Sequence, residues 1–226
     1  MKFKIIDREK TGFAKYCPTF ARAYDVMAEK IRRRRLVKNL AKDLGSWDPD
    51  VRSDAAFALG EAVRDGVNIS SAVGALGKAL GDEDPDVRGN AAEALGYAVA
   101  NGVDITDVIG ALGNLLADED SGVPSNAVWA LVKAAEKGID TSDAVDALGK
   151  ALEDESPIVP EYAARVLGYA VANEKTREAA VKEMLEFMNS SWFMQEAEKN
   201  SDAFLYIVNA LDEALRKVKE AEREVA

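Results

Sequence analysis

A 36-residue period constrains this chain more than any other feature. Leu44, Leu80, Leu116 and Leu152 are 36 residues apart, and so are Leu40, Leu76, Leu112 and Leu148. Val51, Val87, Val123 and Val159 keep the same spacing, as do Leu59, Leu95, Leu131 and Leu167. No insertion breaks the register across four units, from about residue 34 to residue 173. A fixed period of this length is the sequence mark of a stacked repeat, in which each unit buries its apolar face on its neighbours.

Each unit reads as two helices. In the second unit Val73, Leu76, Ala79 and Leu80 follow Ser70 at helical spacing, and Gly81 stops the run. The column Ser70, Thr106, Ser142 predicts an N-cap for each first helix. The second helix opens at Asp84-Pro85, with Asp as the cap and Pro at the first helical position. Its capping column is Asp48, Asp84, Asp120, Ser156. Val87, Ala91, Ala92, Leu95 and Val99 supply its apolar stripe, and Gly66, Gly102 and Gly138 end the second helices. No stretch alternates polar and apolar residues long enough to suggest a sheet.

The segments "DPDVRSDAAFALG" at 48–60 and "DPDVRGNAAEALG" at 84–96 resemble HEAT repeats, in particular the short form called PBS-lyase HEAT-like repeats. The resemblance covers residues 34–188. It implies an all-α fold, a right-handed α-α superhelix of four 36-residue helix pairs with helical caps. It also implies a ladder between repeats made by one Asp and one Arg per unit. Arg52 and Arg88 match that pattern, whereas units three and four have Pro124 and Pro160. A proline there removes an early helical N–H, so these second helices are expected to start late or bend, and the ladder to stop.

The expected organisation is an N-terminal segment and capping helix at 1–33, HEAT-like repeats at 34–188 and C-terminal capping helices at 189–226. Phe20, Tyr24, Met27 and Ile31 give the first cap its stripe. Residues 175–188 look like the first helix of a fifth unit, and "NSSWFMQEAEKNS" breaks the register. Ser201 opens a last helix carrying Leu205, Val208, Leu211, Leu215 and Val218. Residues 1–12 show no pattern.

Charge separates the ends. Residues 1–42 hold 13 Lys/Arg against 4 Asp/Glu, while residues 43–226 carry 16 against 36. The whole chain is at −11, a balance that repels nucleic acid. Histidine is absent, which removes Ser-His-Asp and Cys-His nucleophiles, a histidine base and histidine metal ligands. The one cysteine, Cys17, excludes an intramolecular disulfide and makes a structural zinc site implausible. It reads as an ordinary thiol. There is no 18-residue apolar run and no signal-peptide core, so the expectation is a cytoplasmic protein with no membrane span, no cofactor, no metal and no catalytic residue.

Three charged or glycine-rich features take local explanations. "GALGKALG" at 74–81 lacks the preceding strand and the Gly-Lys-Ser/Thr of a phosphate loop, so Gly77, Gly113 and Gly149 read as points of close helix approach. Asp82, Glu83, Asp84, Asp118, Glu119, Asp120, Glu153, Asp154 and Glu155 form an acidic ridge best read as capping and solvation. Arg32, Arg33, Arg34 and Arg35 are the candidate anion contacts. On a helix they fan over roughly 300°, so the expectation is a solvated face with some arginines paired to acids of the first repeats.

The most informative positions change while the frame stays fixed. Three columns lie opposite the core stripe of the second helices: Phe57, Glu93, Trp129, Arg165; Glu61, Tyr97, Lys133, Tyr169; and Asp54, Asn90, Asn126, Tyr162. In HEAT-like solenoids the second helices line the concave surface, so the resemblance puts these twelve residues in a groove. Aromatic rings beside charges suit a binding face; packing between helices is the competing reading for Phe57 and Trp129. The function expected is a non-enzymatic scaffold holding a protein or peptide, with Trp129 and Tyr97 as anchors and Lys133 and Arg165 meeting acidic groups. Two alternatives stand beside it. One is a nucleic-acid binder using the basic N-terminal segment, like the HEAT-like alkylpurine DNA glycosylases, although the twelve positions sum to −1. The other is a HEAT-like lyase or chaperone accessory protein. Deoxyhypusine hydroxylases share the architecture but need His-Glu iron motifs, and nothing here marks the bilin site of a phycobilin lyase.

Overall fold

The computed structural model describes residues 18–154, 156, 158–173 and 175–199, with nine further helical residues between 204 and 223. Cys17, Glu155, Ser201, Leu211, Leu215, Val218 and residues 1–12 lie outside the described residues. Within them the fold is all-helical, with no strand. Helix α1 runs over Pro18–Asp43, α2 over Pro49–Arg64, α3 over Val73–Ala79 and α4 over Pro85–Ala100. Then come α5 at Ile109–Asn114, α6 at Gly122–Glu136, α7 at Val145–Ala151 and α8 at Ile158–Ala172. Helices α9, Arg177–Met188, and α10, Ser191–Lys199, follow. The first helices α3, α5 and α7 begin 36 residues apart, as the period requires. Neighbouring second helices α2, α4, α6 and α8 pack side by side, and the first helices form the other layer.

The core lies between the layers. Leu59, Leu95, Leu131 and Leu167 are fully buried, as are Leu76, Leu112 and Leu148. Glycines set the spacing where the sequence predicts close approach. A Cβ on Gly77 would sit 2.5 Å from Val108, and one on Gly113 3.1 Å from Ala144. At Gly149 it would meet the Glu183 side chain, from its carboxylate to its Cβ at 3.0 Å. The second helices end on left-handed glycines at Gly66, Gly102 and Gly138, with φ of 75°, 81° and 74°.

The capping differs from the sequence expectation in two places. Ser70, Thr106 and Ser142 do not cap α3, α5 and α7; each opens a short 3-10 turn that leads into the helix. The acceptors are Asn68, Asp104 and Asp140, whose side chains take the Ser70, Thr106 and Ser142 amides at 2.9, 2.9 and 3.0 Å. An Asx side chain reaches the amide two residues on, so it organises the turn from outside the helix. Asp48 and Asp84 do cap α2 and α4. Asp120 does not cap α6, which starts at Gly122, one residue late; its carboxylate takes the Gly122 amide at 3.2 Å. The column that holds Pro49 and Pro85 has Ser121 there, and Pro124 sits buried in the first turn.

The ladder has two rungs. Arg52 reaches Asp82 through Nε and Nη2, both at 2.7 Å. Arg88 reaches Asp118 at 2.6 and 2.8 Å. Each guanidinium also donates to two carbonyls of its own turn, Ser46 and Trp47 or Asp82 and Glu83. Asp154, next in the column, holds the Ser156 amide instead, because Pro124 stands where the arginine would be.

These aspartates make stability pH-dependent. Burial pushes Asp82 up, but the Arg52 pair and the Asp84 amide outweigh it and leave Asp82 below the ordinary range. Arg88 holds Asp118 down, the Thr106 hydroxyl and amide hold Asp104 down, and the Ser142 amide and hydroxyl hold Asp140 down. A carboxyl depressed in the folded state stabilises fully above its unfolded value, about 3.9, and loses that contribution as pH falls through the folded value. With no histidine in the chain, we expect a melting temperature that is level between about pH 7 and pH 5 and falls below about pH 4. Melting curves across that range, followed by circular dichroism, check it; a fall beginning above about pH 6 contradicts the assignment.

Candidate functional site

The solvent side of the second helices carries a continuous strip of rings and charges. Tyr97 on α4 and Trp129 on α6 meet edge to face, with centroids 5.0 Å apart and planes at 68°. Trp129 packs against α4 because Gly96 has no side chain: a Cβ there would fall 2.2 Å from the indole. The ring is thus half-buried between helices and half-open to solvent, combining the two sequence readings of it. The Arg64 guanidinium stands 5.4 Å over the Tyr97 ring and bridges Glu61 at 2.6 Å. Burial, then the Glu93 carboxylate, push the Tyr97 phenol above its ordinary value, so it stays protonated.

At the far end Arg165 sits 5.5 Å over the Tyr162 ring. Its guanidinium reaches Glu136 at 3.2 Å, and Lys133 reaches the same carboxylate at 2.7 Å. Lys133 and Arg165, expected to await acidic groups of a partner, therefore already share one acid, and the cluster keeps one positive charge in excess. Tyr162 and Tyr169 pack against the core on one edge.

The third column behaves differently from the other two. The Asn90 amide donates to the Ser53 hydroxyl at 3.0 Å, and that of Asn126 to the Gly89 carbonyl at 3.2 Å. Both residues stitch adjacent second helices together. Asp54 and Phe57, on α2, are exposed. Arg64 and Glu136 were missed in the sequence, since neither falls in the variable columns; both occupy the last turn of a second helix, where a long side chain reaches the next unit.

Arg32, Arg33, Arg34 and Arg35 on α1 are all exposed. Arg32 and Arg33 pair with Glu29 of their own helix, at 3.6 and 3.0 Å, not with acids of the first repeats. The reason is spacing: Glu29 is three and four residues away on the same face. Arg33 and Arg34, with Lys30 and Glu29, line an open cleft of 1020 Å³ between α1 and the turn at residues 66–71. Arg32 and Arg35 point elsewhere, as the 300° fan predicts.

Among the described residues, no group of three or more His, Cys, Asp or Glu side chains could hold a metal ion. No helix among them is long and apolar enough to cross a membrane. Stacked helix pairs, glycine-spaced layers and an arginine ladder define a helical-repeat scaffold of the HEAT and armadillo kind. Residues 34–102 match the family model for HEAT repeats. No curated protein matches the sequence. An engineered protein of known crystal structure is similar at 26% identity and a TM-score of 0.62, covering 82% of this chain and 80% of that one. A designed armadillo repeat protein in complex with the peptide (KR)4 shares the fold at 18% identity and a TM-score of 0.62, over 84% and 86% of the two chains. Computationally designed armadillo repeat proteins for modular peptide recognition share it at 20% and 0.58, over 81% and 87%.

Proposed function

We propose that this chain is a non-enzymatic scaffold that binds a protein or peptide segment along the strip formed by α4, α6 and α8. The observation that carries the reading is the Tyr97–Trp129 platform, two half-open rings fixed at 5.0 Å between charged clusters of opposite excess. Glu61, Arg64 and Glu93 leave one negative charge at one end. Lys133, Arg165 and Glu136 leave one positive charge at the other. An extended segment with an apolar or aromatic centre, a basic group toward Glu93 and an acidic group toward Lys133 and Arg165 fits that order. Rings already packed at one edge lose little entropy on binding, which suits them as anchors. The designed armadillo protein that holds (KR)4 shows a peptide bound to a scaffold of the same fold, and supports the reading by analogy alone.

The test selects binders from a displayed library of short peptides on the wild-type protein, then measures them on Tyr97→Ala and Arg165→Glu variants. Losing an anchor costs about 2 kcal/mol, so we expect binding to weaken at least about tenfold with helicity unchanged. Arg165→Glu should in addition favour peptides with reversed charge at that end. Selected peptides that bind both variants as tightly as the wild type would refute the strip as the site.

A further inference from the structure

Among the described residues, the outer face of α1 and α2 leaves several apolar side chains open. Three of its residues are open: Phe57 at 54%, Leu36 at 47% and Val51 at 40% exposure. Their 36-residue equivalents show what the face is built for. Val87, Val123 and Val159 are at most 2% exposed, and Ala72, Val108 and Ala144 at most 7%, each covered by the preceding unit. Trp129, the equivalent of Phe57, lies on Gly96 of the preceding helix. A terminal repeat normally presents a polar outer surface, and this one leaves Leu36, Val51 and Phe57 open among its charges.

We propose that a second copy of this chain covers the face, in a two-fold, isologous dimer. Two properties of the face fit itself. The first is charge. Of the charged residues in 26–43 of α1, Glu29, Lys30, Arg33 and Arg34 line the inner cleft, which leaves 4 basic against 1 acidic, while residues 48–65 of α2 with its caps carry 5 acidic against 2 basic. A two-fold axis parallel to the helices lays α1 of each copy over α2 of the other, basic on acidic. The second is register. Leu36 lies as far before Leu44 as Phe57 lies after Pro49, so both stand about 12 Å from the turn that joins the helices. Arg32 and Glu61 stand about 18 Å from it by the same count. The axis therefore sets Leu36 against the partner's Phe57, and Arg32 against the partner's Glu61.

The chain's own N-terminal residues suit the face less well. Residues 1–17 carry 5 basic against 2 acidic side chains and would meet the basic α1. Two helices of this length present about 500 Å² per copy, about 1,000 Å² in all, at the lower limit for a specific interface. The dimer should be weak, with a Kd on the order of 1–100 µM. The dimer shares Glu61 with the acidic end of the peptide strip, whereas Phe57 and Arg32 belong to the dimer alone, so their variants separate the two proposals.

Sedimentation velocity on the full chain over a concentration series tests it. The wild type should pass from monomer to dimer. Phe57→Glu and Arg32→Glu should each weaken association at least about tenfold without changing helicity. Glu61→Lys should do the same, and the Arg32→Glu/Glu61→Lys double variant should recover most of the loss, because the swapped charges face one another across the axis. A wild type that stays monomeric through about 1 mM overturns the proposal, as does a dimer indifferent to Phe57→Glu or a double variant no better than the singles.

Discussion

Replacing Asp118 by alanine is expected to lower the melting temperature by about 5–10 °C, whereas Asp154→Ala, one repeat further on, should change it by no more than about 2 °C. The two carboxylates hold the same place in the 36-residue frame. Asp118 accepts both arms of Arg88 and the Asp120 amide, and its side chain is 8% exposed. Its removal leaves a guanidinium largely shielded from water with only two carbonyls for partners. Breaking such a pair on one side costs about 2–3 kcal/mol here, below the range for a deep interior because the rung lies just under the surface. Asp154 meets no arginine, since Pro124 replaces it, and gives up only its bond to the Ser156 amide. Thermal melts of the two variants side by side check the difference. Equal shifts would mean that the rung contributes nothing beyond turn capping.

The second large effect is expected at Gly96. In the interior of a helix, alanine ordinarily stabilises relative to glycine by about 0.5–1 kcal/mol. Here the new Cβ would lie 2.2 and 2.4 Å from two ring carbons of Trp129, so the indole must leave its seat. We expect Gly96→Ala to destabilise by about 1–3 kcal/mol, and in a Trp129→Ala background to become neutral or stabilising. Urea unfolding of both single variants and the double variant gives the coupling directly. Additive effects would show that the ring does not depend on Gly96. Because Tyr97 meets the edge of the same indole, Gly96→Ala should also weaken peptides selected on the strip.

Both effects come from contacts between units, and that is where sequence reading and structure part. Helix pairs, their period and the stops at Gly66, Gly102 and Gly138 were legible because they are local: a left-handed glycine or an Asp-Pro start acts within a few residues. The end of the ladder was legible too, since a proline cannot do the work of an arginine. The Asx turns of Asn68, Asp104 and Asp140 were misassigned to the serine or threonine two residues later, although they recur at the same 36-residue spacing. Either residue type can cap, and only the backbone path shows which one does.

The candidate strip was legible as a set of variable columns, not as an arrangement. Trp129 and Gly96 are 33 residues apart, and no local rule joins them; the distance between α4 and α6 decides that the ring packs on the glycine. Asn90 and Asn126 looked like groove residues by periodicity, but each lies close enough to the preceding helix to bind its backbone or hydroxyl. Lys133 and Arg165 looked unpaired because Glu136 stands outside their columns. Phe57 shares a column with Trp129 but has no second helix before it among the described residues, and is exposed. The sequence by itself determined the repeat, its helices and their ends, because hydrophobic period and capping are local physics. The tertiary structure alone decided which variable side chains close a seam and which face water, because that depends on the spacing of helices one repeat apart.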